Sequence, residues 1–141
     1  MKLRKRIAAV VAAMVMATSM MMTSASAATL SKTQNDVKVT STTTTDSLNG
    51  YGSTAGVNTT ATTRYMYSVV EIYSTSTNST LVTENHAFGN ASKNSGEGVF
   101  SGLAIASRSK CNHIRGKATM YNSQGTQQGG EYGTATITVD F

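Results

Sequence analysis

Proline is absent from this 141-residue chain, cysteine occurs once, and charged residues make up only 13% of it. Without proline there is no Leu-Pro-x-Thr-Gly signal of the sortase kind to tie the chain to a cell wall. A lone cysteine, Cys111, forms no intramolecular disulfide, so the domain depends on its core alone. No G-x-S-x-G elbow, P-loop or G-x-G-x-x-G fingerprint occurs, which removes the usual sequence grounds for a serine hydrolase, a nucleotide phosphatase or a dinucleotide enzyme. Surplus charge is scarce too. The formal net charge is +5, but Lys2, Arg4, Lys5 and Arg6 all lie at the start; from Ala28 onward 8 Lys and Arg face 7 Asp and Glu. A net charge near +1 does not build the positive field that nucleic-acid binding needs.

The opening segment has a recognisable pattern. The four basic residues precede an apolar run from Ile7 to Met22, broken only by Thr18 and Ser19, and Ala25, Ser26 and Ala27 form an A-x-A exit. A basic, then apolar, then small-residue order predicts a secretory signal peptide over residues 1–27. No cysteine follows the exit to carry a lipid and no second apolar span follows, so the expected product is secreted, released or held to the surface noncovalently, with no integral membrane segment after cleavage. The basic, Met-rich leader suggests a bacterial source.

The remaining 114 residues suit one domain. Leu, Ile, Val and Phe supply only 19 of them, while Thr, Ser, Gly and Asn fill much of the rest, a composition of short strands and turns. Residues 28–63 are Thr/Ser/Gly-rich, with one short strand expected near 36–41 and a turn or loop at Asn49-Gly50. Residues 64–141 are expected to hold the core. RYMYSVVEIYS (64–74) alternates Met66, Ser68, Val70 and Ile72 against Tyr65, Tyr67, Val69, Glu71 and Tyr73. Leu81–Phe88 is its expected partner, 89–98 a loop, and 99–107 a strand with Val99, Ser101, Leu103 and Ile105 on one face. Cys111–Tyr121 and 134–141 complete the set, the last placing Ala135, Ile137, Val139 and Phe141 inward. With no apolar period of 3.6, six to seven short strands predict an all-β fold: a small antiparallel β-sandwich, Ig-like or jelly-roll-like, with a small β-barrel as the alternative. An outer-membrane barrel would need more strands and paired aromatic belts.

Candidate chemistry is sparse. Simple alternation puts Cys111, His113, Arg115 and Lys117 on one strand face, and Asn112, Ile114, Ala118 and Met120 on the other. A nucleophilic cysteine needs a base within hydrogen-bond reach and groups that stabilise the thiolate. Residues two apart on a strand stand parallel, nearly 7 Å apart, so the pair is expected to be a wet face, with Cys111 a candidate for an intermolecular disulfide. Glu84, His86, Cys111 and His113 would make a zinc site only if their strands were neighbours, and their spacing matches no zinc signature. No catalytic residue, metal or cofactor is therefore assigned. Three N-x-[ST] sequons, at Asn58, Asn78 and Asn90, are what this composition yields by chance.

Tyrosines give the better clue. Tyr65, Tyr67 and Tyr73 share a strand face, and tyrosine provides large contact area at low entropic cost. The expected function is a secreted, noncatalytic module that binds a cell-surface glycan or protein through these residues. The alternative is a small bacteriocin-like effector acting by membrane association or self-assembly, with oligomers formed through Cys111 or a sheet edge.

Overall fold

A computed structural model describes residues 27–74, 76–77, 79–93 and 98–141. The signal peptide expected at 1–27 thus lies outside them except for Ala27, as do Asn78 and residues 94–97 of the loop expected at 89–98, whose first three residues instead end strand β5. Among the described residues there are nine strands: β1 (Ala27–Gln34), β2 (Val37–Thr45), β3 (Asn49–Asn58), β4 (Arg64–Ser74), β5 (Thr80–Ala91), β6 (Gly98–Phe100), β7 (Ala104–Ser107), β8 (Cys111–Tyr121) and β9 (Glu131–Asp140). They form two antiparallel sheets not closed into a barrel, the small β-sandwich that the alternation predicts. One sheet runs β1-β2-β3 with β6 and β7 both paired to β3; the other runs β5-β4-β8-β9. Among the described residues no helix is long and apolar enough to cross a membrane.

The strongest departure from expectation is β3. NGYGSTAGVN has the composition of a loop, yet it is a ten-residue central strand. Its alternate inward positions carry Gly50, Gly52, Thr54 and Gly56, and these small residues let the facing sheet come close. A Cβ at Gly52 would lie 2.7 Å from Ile114 Cγ2, and one at Gly56 would lie 2.5 Å from Ala118 Cβ. Likewise the Thr run expected to end its strand at 41 continues as β2 to Thr45, with Ser41, Thr43, Thr44 and Thr45 buried.

Two apolar clusters fill the sandwich. Val37, Val39, Met66, Val99, Met120 and Ala135 pack at one end; Val70, Ile72, Ala104, Cys111, Ile114 and Val139 pack at the other. Val37 and Val39 are completely buried, so residues before 64 build the same core as those after it. Between the clusters sit hydroxyls: Ser41 Oγ and Thr54 Oγ1 hydrogen-bond at 2.8 Å beneath Gly116, and the Ser101 hydroxyl accepts from the Thr54 N–H at 2.8 Å. Ser68 Oγ is buried there with no partner among the described residues.

Expected strand 99–107 is instead two short strands separated by residues 101–103. The break resets the alternation. Val99 and Ala104 point inward, while Leu103 and Ile105, expected on the face of Val99, are 56% and 47% exposed.

The β2–β3 turn is held by Asp46, whose Oδ1 accepts from the N–H groups of Leu48 (2.8 Å) and Asn49 (2.6 Å), while Oδ2 accepts from Tyr51 Oη (2.6 Å). These bonds, that from Tyr51 first, hold the Asp46 carboxyl below its usual 3.8. A carboxyl lowered in the folded state stabilises the fold above about pH 3.8, and that contribution fades as pH falls through the lower folded value. Thermal melting of wild type and Asp46→Asn followed from neutral pH into acid is expected to show a stability gap that closes on acidification. A gap independent of pH would assign the loss to geometry rather than charge.

Candidate functional site

The outer face of the β5-β4-β8-β9 sheet carries the tyrosines. In β4 every even residue from Met66 to Ser74 is buried, and every odd residue from Tyr65 to Tyr73 is half-exposed. Tyr65, Tyr67 and Tyr73 thus stand on the sheet's outer side rather than closing a second core layer. The register of β4 with β8 divides them into two groups.

Tyr73 lies opposite His113. Their rings stack with centroids 5.1 Å apart and an 8° interplanar angle. The Arg115 guanidinium lies 5.1 Å from the centroid of the same tyrosine ring. One carboxylate oxygen of Glu71 accepts from Arg115 Nη2 (2.6 Å), Arg115 Nε (2.9 Å) and Tyr73 Oη (3.1 Å). With its ring face and hydroxyl already engaged, Tyr73 is locked into a local network. The ion pair itself adds little stability, because the Arg115 and Glu71 side chains remain 47% and 22% exposed.

Six residues back along the strand, roughly 20 Å away at strand rise, Tyr65 and Tyr67 meet a third tyrosine. Tyr121 is the cross-strand partner of Tyr65, with ring centroids 5.9 Å apart and planes tilted by 58°. Tyr67 lies opposite Thr119, which is only 3% exposed even though it points outward; Thr134 Oγ1 donates to the Glu131 carboxylate and shares a hydroxyl–hydroxyl hydrogen bond with Thr119 Oγ1 (3.1 Å). Burial first, then Glu131 and the Tyr67 and Tyr65 phenols, pushes the Tyr121 phenol above its usual 10.0, so it remains a neutral donor in any physiological medium. Half-exposed Tyr65, Tyr67 and Tyr121 therefore form an aromatic cluster on the outer face of this sheet.

Sequence reasoning missed Tyr121, although the signal was present. Tyr121 has the same parity on β8 as His113, Arg115 and Lys117, so extending that alternation four residues past Lys117 reaches it. Only the pairing of β8 with β4 brings it to Tyr65.

Cys111 departs from the expected face. It is 3% exposed and packs in the inner cluster with Ile72, Ile114 and Val139, whereas Asn112, expected inside, is exposed. The cause is a register shift: Tyr73 pairs with His113 but Ser74 pairs with Cys111, leaving Asn112 as the extra residue of a bulge. Cys111 Sγ contacts the Arg108 carbonyl oxygen at 3.6 Å. The thiol therefore points away from the imidazole of His113, and the folded sandwich does not present it to a second chain for an intermolecular disulfide. Nor do the four residues of the conceivable zinc site converge. β4 separates β5 from β8, and Glu84 and His86 pair with inward Val70 and Ser68 while His113 lies on the outer side. No group of three or more metal-ligating side chains occurs among the described residues.

No family model, curated protein or solved structure matches the chain.

Proposed function

We propose that this protein is a secreted, noncatalytic binding module whose outer tyrosine face takes a glycan or protein partner at or beyond the cell surface. The observation that carries this reading is the cluster of Tyr65, Tyr67 and Tyr121 on a sheet face that nothing covers among the described residues, with Tyr73 braced at the other end. Aromatic rings held by a rigid sheet provide contact area that loses little side-chain entropy on binding, and half-exposed Thr134 and exposed Glu131 beside them supply polar groups for orientation. A glycan is the better fit of the two partners, since flat rings next to hydroxyl and carboxylate groups suit the apolar face and polar rim of a sugar. Export rests on the basic, apolar and small-residue order of the first 27 residues.

Glycan arrays and wall-polymer pull-downs with the purified protein test the reading. Retention is expected, and Tyr67→Ala is expected to weaken it by about tenfold or more, as loss of a central aromatic anchor does. Blank arrays and pull-downs, or retention unchanged in both Tyr67→Ala and Tyr121→Ala, would remove this face from consideration. Retention by a protein rather than a polymer, lost in the same variants, would select the protein partner.

A further inference from the structure

Strand β1 is an edge strand with eight residues, one neighbour and almost no buried side chain. It joins β2 through a two-residue turn whose Asn35 and Asp36 have φ of 50° and 62°, so Gln34 and Val37 form the hydrogen-bonded pair next to that turn. The bond from the Thr59 N–H to the Asp36 carbonyl fixes the same parity from the other side of β2. Counting back by twos, Lys32, Leu30 and Ala28 bond to β2, while the N–H and C=O groups of Thr29, Ser31 and Thr33 face outward. Among the described residues nothing pairs with them.

The other edges are protected in the ways that sheet proteins use. β5 has register shifts near both ends and places the charged Glu84 at an inward register position, opposite Val70. β9 ends in the acids Glu131 and Asp140, and its carbonyls at Thr134 and Asp140 accept from Asn35 Nδ2 (3.3 Å) and Thr43 Oγ1 (3.0 Å). β6 and β7 are short and interrupted. β1 has no proline, no register shift and a single charge, Lys32. Leu30 has the parity of inward Ser41, yet is 50% exposed.

We propose that the free edge of β1 pairs with β1 of a second copy, antiparallel about a two-fold axis at Leu30, to form a dimer with one continuous sheet. In that register Leu30 faces its own counterpart at the close, non-hydrogen-bonded spacing, Ser31 faces Thr29, and Lys32 faces Ala28. The exposed leucine is covered, the free backbone groups are matched, and the one charge never meets its like. The hydroxyl pairs already made by β1 with β2, Thr29 with Thr42 (3.0 Å) and Ser31 with Thr40 (2.8 Å), hold the strand straight for this contact. The dimer does not involve the tyrosine face, which lies on the other sheet.

Sedimentation of the purified protein over a range of concentrations, in reducing buffer, is expected to show a monomer–dimer equilibrium. Ser31→Pro removes an outward N–H not used by the hairpin and should leave a monomer; Leu30→Lys, a surface change that sets like charges opposite one another, should weaken the dimer by about tenfold or more. Leu30→Cys should give a disulfide-linked dimer on mild oxidation, since opposed residues at non-hydrogen-bonded sites lie within bridging distance, and Thr33→Cys should not. A monomer at every concentration, open-ended polymers, or a dimer indifferent to Leu30→Lys would overturn the proposal.

Discussion

Gly116→Val is expected to abolish the folded state of this protein. Gly116 lies at the centre of β8, opposite Val70 of β4 and Ile137 of β9, and faces the first sheet. A Cβ there would overlap the hydroxyl oxygens of Ser41 and Thr54 and stand 3.0 Å from Thr54 Cγ2. Neither hydroxyl has room to retreat, because both residues are fully buried on central strands and are bonded to each other. Relief requires breaking that bond or pushing the sheets apart. Overpacking costs about 1–3 kcal/mol and an orphaned buried hydroxyl costs about 1–3 kcal/mol more. The sum approaches the whole stability of a small domain, about 5 kcal/mol at its lower limit. Urea denaturation followed by circular dichroism would measure it, with Gly116→Ala, which brings the same Cβ contact without the two γ-methyl groups, as the smaller perturbation. A valine variant with an unchanged midpoint would mean that the sheets are not packed this closely.

The second large effect is a coupling. Ile114 is fully buried, pairs with Ile72 and presses its Cγ2 on the space above Gly52. Ile114→Ala is expected to cost about 3–4 kcal/mol for lost burial and the cavity left behind. Gly52→Ala alone is expected to cost about 1–2 kcal/mol, since its methyl would lie 2.7 Å from that Cγ2. Together the two changes should cost at least about 1 kcal/mol less than their sum, because the alanine methyl enters space that the isoleucine has vacated. Additive losses in a double-mutant denaturation cycle would show that the two positions do not touch. The same contact explains why a glycine-rich stretch forms a central strand: three of its inward positions must be nearly empty for β8 to sit where it does.

How far the fold was legible follows from where alternation was regular. β4, and β9 from Gly133 onward, alternate with a period of two, and their inward faces are as expected: Met66, Val70 and Ile72 in one, Ala135 and Val139 in the other. β3 was hidden because its inner face is marked by small volume rather than hydrophobicity, and local composition reads such residues as a turn. At β6–β7 and at Cys111 the period itself slips, by a break at 101–103 and by the bulge at Asn112. A one-residue slip moves every later side chain to the opposite face, and neither partner strand can be identified from the sequence around it. The tyrosine face was half legible for the same reason. Tyr65, Tyr67 and Tyr73 share a strand and so declare themselves, whereas Tyr121 joins Tyr65 across more than fifty residues.

The sequence by itself determined that this is an all-β chain of short strands, several with one alternating apolar face, with the charge from Ala28 onward nearly balanced and three of its six tyrosines on one strand face. Those properties are local, since they follow from composition and from the alternation of side chains along an extended backbone. Tertiary structure alone decided that Cys111 turns inward, that Tyr121 completes the aromatic cluster, that a glycine-rich segment is a central strand, and that β1 is left at an open edge. Each depends on which strands pair and in what register, and that is set by contacts between residues far apart in the chain.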